Sequence, residues 1–461
     1  MASPQAINES YRTAIVSPLG VYKPQKMNEL FLKYGKQGYE WFMILQSLGV
    51  KKPVANSSFS HFEDRDIHQS FQVLAGVAAP GAGLVQELTL DPDSVTGGTN
   101  TFYPQVNMGV MYPNGAIGHI TTIDVSVPTA PVLSIYPRNV LVDLPAVSTD
   151  DYLVLIDNAH GEGTDQPASQ FSGYDEITNY TQIFKKSMTS TGSELTTEPW
   201  FIKDSSGRSM KVISDKGLLD MDYRMAHDMS YALMFSVPTT NTSITDTDFD
   251  GNSVPITTTH GFWPAAETYG TIHNYTPGAF SITDDFDEIA RIQAEEYIFG
   301  GYSLFMAGLR LYQDVENSAV DFTKEAHDFT SVSSSLFGGD AGLALSVGFK
   351  TIKKSGITYL VKPLYALSDK NTLGASGYDY DKKGILFPLN ELKDKKNGEM
   401  ISSIGMRYKE YNGISRMMKY WYEGSEGLAT PTDGWDNKRT NCRSEIGAQW
   451  MGANRFVVIE P

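Results

Sequence analysis

Carboxylate side chains stand at alternate positions in the segment DTDFDG, where Asp246, Asp248 and Asp250 precede Gly251. A calcium loop of the EF-hand type opens in this way, because alternate side chains can converge on one ion before a glycine turn. The bidentate glutamate that would complete such a loop falls at Thr257, which has no carboxylate to offer. We therefore expect an acidic turn here and keep calcium binding as the alternative.

A second cluster of metal-ligand types lies in HFEDRDIH, which contains His61, Glu63, Asp64 and His68. Imidazole and carboxylate groups bind zinc when several of them converge in a tetrahedron. Ligand types this closely spaced in sequence more often form a solvent-exposed turn held by ion pairs, and we predict that arrangement. The sequence therefore predicts no metal site.

The sequence motifs of common enzymes are absent. There is no G-x-S-x-G nucleophile elbow, no phosphate-binding glycine loop ending in Lys-Ser/Thr, and no H-E-x-x-H. The glycine pairs Gly300-Gly301 and Gly338-Gly339 lack the strand, loop and helix that a dinucleotide site needs. We therefore expect neither catalytic residues nor a cofactor, although an unrecognised hydrolase stays open as an alternative.

The composition is that of a globular protein with an acidic surface. The chain has 461 residues, 54 Asp and Glu against 37 Lys and Arg, and a net charge of −17. A nucleic-acid-binding surface is usually basic, so tight DNA binding by the whole surface is disfavoured. The single cysteine, Cys442, excludes a disulfide framework. No apolar run approaches the roughly 20 residues that span a membrane.

Two helical patterns occur between residues 26 and 50, separated by glycines. In the second pattern Trp41, Leu45 and Leu48 share one face, and Gly49 ends it. This apolar face must be buried, either in its own chain or against a neighbouring one.

The pattern changes to β structure over residues 71–165, where β-branched runs flank Pro113, Asn114 and Gly115. An Asn-Gly pair between such runs predicts a hairpin. We expect a small sheet or sandwich here.

The clearest helix is predicted over residues 214–236, before Pro238. Its apolar residues recur at helical spacing, which predicts core packing; they are Leu218, Met221, Met225, Met229, Ala232 and Leu233. A polar loop is predicted at 237–257 and a second helix at 284–299. Residues 330–461 show mixed strands.

The segment NYTQIFKKSMTSTGSE, residues 179–194, alternates strand formers with lysines and hydroxyl residues. Neither face is cleanly apolar, which is unsuited to a strand inside its own core. It predicts a projecting ribbon that finds its contacts on another chain.

The run Asn179, Tyr180, Thr181, Gln182, Ile183 and Phe184, followed by Thr191-Gly192, resembles a segment of the major capsid proteins of tailed bacteriophages. The order of elements is similar as well: arm, short helices, β region, ribbon, long helix, acidic loop, second helix and mixed sheet. The segments SFSHFEDRDIHQSF and TTTHGFWPAA look similar to the same families, and the group resembles the capsid proteins of crAss-like gut phages.

This resemblance implies an α+β chain with the Hong-Kong-97-like fold and an additional β-rich insertion. The implied parts are an N-terminal arm with short helices at 1–70, the insertion at 71–170, an extended loop at 171–212, a peripheral domain with a spine helix at 213–301, an axial domain at 302–400 and a return to the peripheral domain at 401–461. The implied inter-subunit contacts of the extended loop are Tyr180, Gln182, Ile183, Phe184, Lys185 and Lys186.

The resemblance also implies a function and partners. Copies would form pentamers and hexamers that assemble in the host bacterial cytoplasm into an icosahedral head, and the virion would enclose double-stranded DNA without binding it specifically. Portal, decoration or scaffolding proteins would be further partners, and no membrane is implied. Lys185 and Lys186 lie where some relatives form Lys–Asn cross-links, but no partner Asn or catalytic Glu matches, so we expect surface or salt-bridging lysines.

Two other functions fit parts of the sequence. An encapsulin-like compartment shell shares the implied fold and would contain an enzyme instead of DNA. A calcium-dependent, β-rich head-fibre or adhesin protein would suit DTDFDG, but it would not suit the methionine-striped helix at 214–236.

Overall fold

The structure is a computed structural model. It describes residues 40–48, 50–64, 70–92, 103–167, 169, 174–196, 214–296, 298, 301–323, 330–331, 350–375, 377–389, 391–393, 400–426 and 430–461. Several sequence predictions therefore lie outside the described residues: the arm and first helical pattern, His68, residues 197–213 of the extended loop, and the glycines Gly300, Gly338 and Gly339.

Helices and strands alternate irregularly along the chain. The described α-helices are α1 Glu40–Ser47, α2 Gly192–Thr196, α3 Ser214–Phe235, α4 Phe262–Tyr269, α5 Asp285–Glu295, α6 Leu309–Thr323 and α7 Tyr365–Ser368. Short 3-10 helices lie at Tyr380–Lys382 and Ala453–Arg455. None of the described helices is long and apolar enough to cross a membrane.

Strands form most of the regular structure. They are β1 Lys51–Val54, β2 Ser58–Asp64, β3 Ser70–Gln72, β4 Gln86–Thr89, β5 Met108–Met111, β6 Ile117–Asp124, β7 Val132–Pro137, β8 Tyr152–Asn158, β9 Tyr174–Tyr180, β10 Gln182–Thr191, β11 Thr245–Thr247, β12 Ser253–Pro255, β13 Thr271–Asn274, β14 Gly301–Ala307, β15 Thr330–Ser331, β16 Lys350–Lys354, β17 Ile357–Pro363, β18 Gly384–Pro388, β19 Glu391–Lys393, β20 Met400–Ser402, β21 Ile404–Tyr411, β22 Ile414–Ser415, β23 Lys419–Gly424, β24 Asn437–Trp450 and β25 Val457–Glu460.

The chain divides into two compact units. Unit 1 comprises Met1–Phe59 and Asn179–Pro461, and unit 2 comprises Ser60–Thr178. Strands β2 and β9, at the points where the chain leaves and re-enters unit 1, pair in a two-stranded sheet. The mixed α+β content agrees with the expected class.

Unit 2 is built on a six-stranded antiparallel sheet with the order β3-β8-β5-β6-β7-β4. The predicted hairpin is confirmed: β5 and β6 pair around Asn114-Gly115, and Gly115 takes a φ of 84°, which suits glycine. One side of the sheet is buried in a core to which nearly every strand contributes; its residues are Phe71, Val73, Leu88, Leu90, Val110, Tyr112, Ile120, Leu133, Ile135, Leu144, Val147 and Leu153.

Unit 1 contains a seven-stranded mixed sheet with the order β13-β25-β18-β14-β17-β16-β15. Helix α5 buries Phe286 and Ile289 in the core beside this sheet, and α6 buries Leu311 and Val315 there. Helix α5 was predicted over 284–299 but ends at Glu295, and its first turn holds the acids that favour a helix start.

A six-stranded sheet of unit 1 has the path β1-β21-β24-β10, with β22 on β21 and β23 on β24. Helix α3 packs on β10 and β24. The methionine stripe is buried as predicted: Met221, Met225, Met229 and Leu233 lie in the core, whereas Leu218 and Ala232 are partly exposed.

Two local predictions were wrong. Residues 237–257 are not only a loop, because β11 and β12 pair there in a short hairpin. The segment at His61 is strand β2 and not a turn; its alternation places His61 and Glu63 on the same side, with His61 Nε2 at 2.8 Å from Glu63 Oε1.

Helix α1 is buried within its own chain, which resolves the alternative left open by the sequence. Trp41 stacks on Phe387 at 5.4 Å between ring centroids and meets Phe262 edge-on at 5.3 Å. Glu40 Oε2 accepts a hydrogen bond from the Tyr365 amide, and burial raises the pKa of the Glu40 carboxyl.

We expect Trp41→Ala to lower the free energy of unfolding by about 3–5 kcal/mol, because the substitution leaves a cavity among packed aromatic rings. Met43→Ala on the same helix is the matched control, since Met43 is half exposed, and it should change stability by less than about 0.5 kcal/mol. Urea unfolding measures both. Equal shifts for the two variants would contradict the packing described for α1.

Candidate functional site

The six residues expected to contact a neighbouring subunit lie at and after the end of β9, most of them on β10. Strand β10 pairs with β24 along its whole length, from Gln182 opposite Ile446 to Thr191 opposite Asn437. It is therefore a strand of the subunit's own sheet, and the prediction of a projecting ribbon is wrong for residues 182–191. The polar residues that suggested a ribbon are accommodated by the two different environments on either side of this sheet.

One side of β10 faces helix α3. Phe184 is buried there. Lys186 Nζ lies 2.6 Å from an Asp228 carboxylate oxygen on the helix, and Gly217 leaves room for Met188. Gln182 belongs to this side too, and its Oε1 accepts a hydrogen bond from the Thr259 amide at 3.4 Å. These residues hold the subunit together.

The opposite side of β10 is open within the described part of the chain. Ile183 is 47% exposed, and the Lys185 side chain is 68% exposed, with Nζ 4.0 Å from an equally exposed Asp246. Tyr180, at the end of β9, is 37% exposed. Of the six predicted contact residues, these three are available to another chain.

Asn179 links three segments of unit 1 through its buried side-chain amide. Its Nδ2 donates to the Ala448 carbonyl at 2.8 Å and to the His260 carbonyl at 2.9 Å. Its Oδ1 accepts the His260 amide at 2.7 Å. The residue that begins the NYTQIF run thus has a structural role that alternation alone could not reveal, since its partners are distant in sequence.

Glu445 is a buried charge that the sequence gave no signal for. It lies on β24 and is only 2% exposed. Arg416 Nε forms a short ion pair with it, Lys409 Nζ lies 3.5 Å away, and the Thr181 hydroxyl donates to Oε1 at 3.1 Å. A buried carboxylate needs such partners because desolvation of an unpaired charge is costly.

Cys442 is not placed for nucleophilic chemistry. It is buried on β24 on the same side of the sheet as α3, and burial raises the pKa of its thiol. A raised pKa keeps the thiol protonated, whereas a reactive cysteine requires the thiolate. Burial likewise raises the pKa of the neighbouring Tyr420, whose hydroxyl donates to Asp222 at 3.1 Å.

The DTDFDG segment forms the turn of the β11–β12 hairpin. Asp248 Oδ1 accepts the amides of Asp250 and Asn252 at 2.9 and 2.8 Å, and these bonds lower the pKa of its carboxyl, the Asn252 amide most. The carboxylate thus stabilises its own turn. Among the described residues, no three His, Cys, Asp or Glu side chains come together as metal ligands.

Unit 2 presents a second candidate surface on the side of its sheet opposite the core. Val154, Met111 and Ile117 stand opposite one another on three adjacent strands, and each is more than one-third exposed. The ion pair between Arg138 and Asp157 lies close to Gly109 on β5, where a side chain would collide with it. Exposed apolar residues around a fixed arginine are typical of protein interfaces.

A family model described as SU10 major capsid protein matches residues 43–332. No curated protein matches the chain.

Several similar solved structures come from phages. One from Microbacterium phage Oxtober96 is 10% identical with a TM-score of 0.40, and the match covers 99% of this chain and 99% of that chain. One from Mycobacterium phage Ogopogo is 8% identical with a TM-score of 0.43, covering 97% and 99%. A capsid structure of the Cyanophage P-SCSP1u is 12% identical with a TM-score of 0.36, covering 66% and 80%.

The two sides of β10 predict different outcomes for adjacent residues. Phe184→Ser should destabilise the subunit by about 3–5 kcal/mol, because it removes a buried ring and places a hydroxyl against α3. Ile183→Ser should leave the unfolding midpoint close to that of the unchanged chain, because Ile183 is exposed. Thermal unfolding followed by circular dichroism measures both, and a destabilised Ile183→Ser would show that the open side is also part of the core.

Proposed function

The chain belongs to the SU10 major capsid protein family, and from that membership we propose that its copies assemble through pentamers and hexamers into an icosahedral head around double-stranded DNA. This proposal rests on the family match, which spans residues 43–332 and includes all of unit 2 and helices α3 to α6. As a major capsid protein, the chain forms the phage head. The family is one of structural proteins, in line with the expectation that the chain has no catalytic residues.

The proposed fold is the Hong-Kong-97-like fold with a β-rich insertion at 71–170, which lies within unit 2. In support, α3 is a long helix packed on a sheet, as a spine helix would be. Residues 302–400 would form the axial domain, and residues 401–461 would return to the peripheral domain, where β24 pairs with β10. Within the proposed extended loop at 171–212, strand β9 would be the projecting part, because β10 lies within the subunit's own sheet.

Shell stability would come from many modest contacts repeated over identical copies. A contact too weak to hold two isolated subunits becomes effective when each subunit makes several at once. Tyr180, Ile183 and Lys185 remain proposed contact residues because they are exposed. Gln182, Phe184 and Lys186 would act indirectly, by holding β10 against α3 and the segment that follows it.

The further partners in the proposal are a portal protein, decoration or scaffolding proteins, and the enclosed DNA. A net charge of −17 supports a head that encloses DNA without binding it tightly, because the DNA phosphates and the acidic protein repel each other on average. Assembly would take place in the host bacterial cytoplasm, and the crAss-like group stays our proposed placement within the tailed phages.

Electron microscopy of the purified full-length chain tests the proposal. We expect rings of five or six subunits, or closed shells, on their own or with a scaffolding protein from the same phage. A chain that stays monomeric under all these conditions would contradict it. DNA recovered from heads isolated from infected cells would distinguish a phage head from a compartment shell that contains an enzyme.

A denaturing gel of assembled shells tests for covalent cross-links. We expect a single band at 50.8 kDa, because Lys186 is paired with Asp228 and Lys185 Nζ lies 4.0 Å from an Asp246 carboxylate oxygen, so neither lysine has an Asn beside it in these pairs. Ladders of higher mass that persist in reductant and vanish in Lys185→Arg would show that this lysine is cross-linked.

A further inference from the structure

The negative charge of the chain is concentrated in unit 2. Residues 60–178 contain fifteen Asp and Glu, no Lys, and only two Arg, Arg65 and Arg138. Unit 2 therefore carries −13 of the chain's net charge of −17. Arg138 is already paired with Asp157, so unit 2 taken by itself is strongly acidic.

Unit 1 contains the opposite feature, a row of three cations on three neighbouring strands. Lys185 on β10 stands directly opposite Arg443 on β24, and Arg443 stands directly opposite Lys419 on β23. Residues in register on adjacent strands lie on the same side of a sheet. Lys185, Arg443 and Lys419 thus form what we call the cation row.

The cation row faces away from helix α3. The residues that touch the helix alternate with those of the row: Lys186 reaches Asp228, and Tyr420 reaches Asp222. Lys185 and Lys419 are exposed, and the Arg443 guanidinium lies 5.4 Å from the ring centroid of Trp421 on the same side. Stacking on Trp421 holds Arg443 in place between the two lysines.

Like charges directly opposite each other destabilise a sheet. The acids nearest the row do little to offset this. Glu445, two positions from Arg443 on the same side of β24, is buried and already paired with Arg416 and Lys409. Asp246 is 4.0 Å from Lys185 with both side chains exposed, and Glu423 accepts a hydrogen bond from Trp421 two positions along β23. A row of this kind is explained if an anionic group binds it in the assembled state.

We propose that the cation row of one copy binds acidic side chains of unit 2 from a neighbouring copy. This inference rests on the proposed assembly of copies into a shell. It makes the contact heterologous, with two different surfaces of the same chain meeting head to tail, as ring formation requires. The acids are concentrated in unit 2 and the cation row lies in unit 1. Such a contact therefore brings opposite charges together, although whole acidic subunits repel each other.

A protein partner fits the surface better than DNA. Ile183 and Trp421 lie on the same side as the row, and the exposed face of unit 2 offers Val154, Met111 and Ile117. Apolar residues beside charges suit a protein interface, whereas a phosphate backbone would leave them without contacts. Because the charges are exposed, the contact should weaken as salt rises and the screening length falls.

The first test removes two cations with the double variant Lys185→Ser/Lys419→Ser. The subunit should keep or raise its thermal midpoint, because repulsion within the row is relieved, while shell yield falls several-fold at low salt. The control is Lys353→Ser/Lys370→Ser, which makes the same charge change at two exposed lysines elsewhere in unit 1 and should assemble normally. If wild type, variant and control all assemble equally, this inference fails and the proposed function stands.

The second test identifies the partner by carbodiimide cross-linking, which joins carboxylates to amines. Unit 2 has no lysine, so its carboxylates can only be joined to amines elsewhere. Shells are assembled from a mixture of 15N-labelled and unlabelled copies and analysed by mass spectrometry. We expect mixed-isotope links from Lys185 or Lys419 to Asp or Glu of unit 2.

Three outcomes would overturn the inference. One is links from these lysines to unit 2 only within single copies. Another is links only to residues outside unit 2. The third is a double variant that assembles normally but loses binding of linear double-stranded DNA in a mobility-shift assay, which would assign the cation row to the packaged DNA.

Discussion

Most of unit 1 depends on the antiparallel pairing of β10 with β24. The two strands are far apart in sequence, since Gln182 on β10 stands opposite Ile446 on β24, so their pairing closes most of the unit 1 sequence into one loop. The entropy cost of closing a loop grows only slowly with its length. The hydrogen bonds between β10 and β24 and the burial of Phe184 against α3 offset that cost. The same pairing sets which side chains of β10 face the helix and which face outward.

The polar character of residues 179–186 follows from that pairing. Asn179, Thr181 and Gln182 use their side chains to bond backbone groups and a carboxylate of other segments, and Lys186 pairs with Asp228 on α3. A strand can therefore be polar and still belong to its own core, provided every buried polar group finds a partner.

The chain has two strongly charged features, one in each unit. Unit 2 holds many acids without lysine, and the open side of the unit 1 sheet aligns Lys185, Arg443 and Lys419 in direct opposition. Within one subunit both features oppose stability. Features that lower the stability of an isolated subunit are expected at functional sites, because binding to a partner can offset the cost there. For a capsid protein, the neighbouring copy is a partner of this kind.

Local patterns determined much of this protein without tertiary information. The spacing of Met221, Met225 and Met229 predicted α3, and Asn114-Gly115 predicted the β5–β6 hairpin, because both signals act over a few residues. Composition and the missing motifs indicated a structural role, and the NYTQIF run pointed to phage capsids. Only the tertiary structure decided that β10 belongs to its own sheet, that Glu445 is buried with Arg416 and Lys409, and that three cations stand in register. Those facts depend on which distant strands pair, and a shift in strand register by one residue would reverse every assignment of side chains to faces.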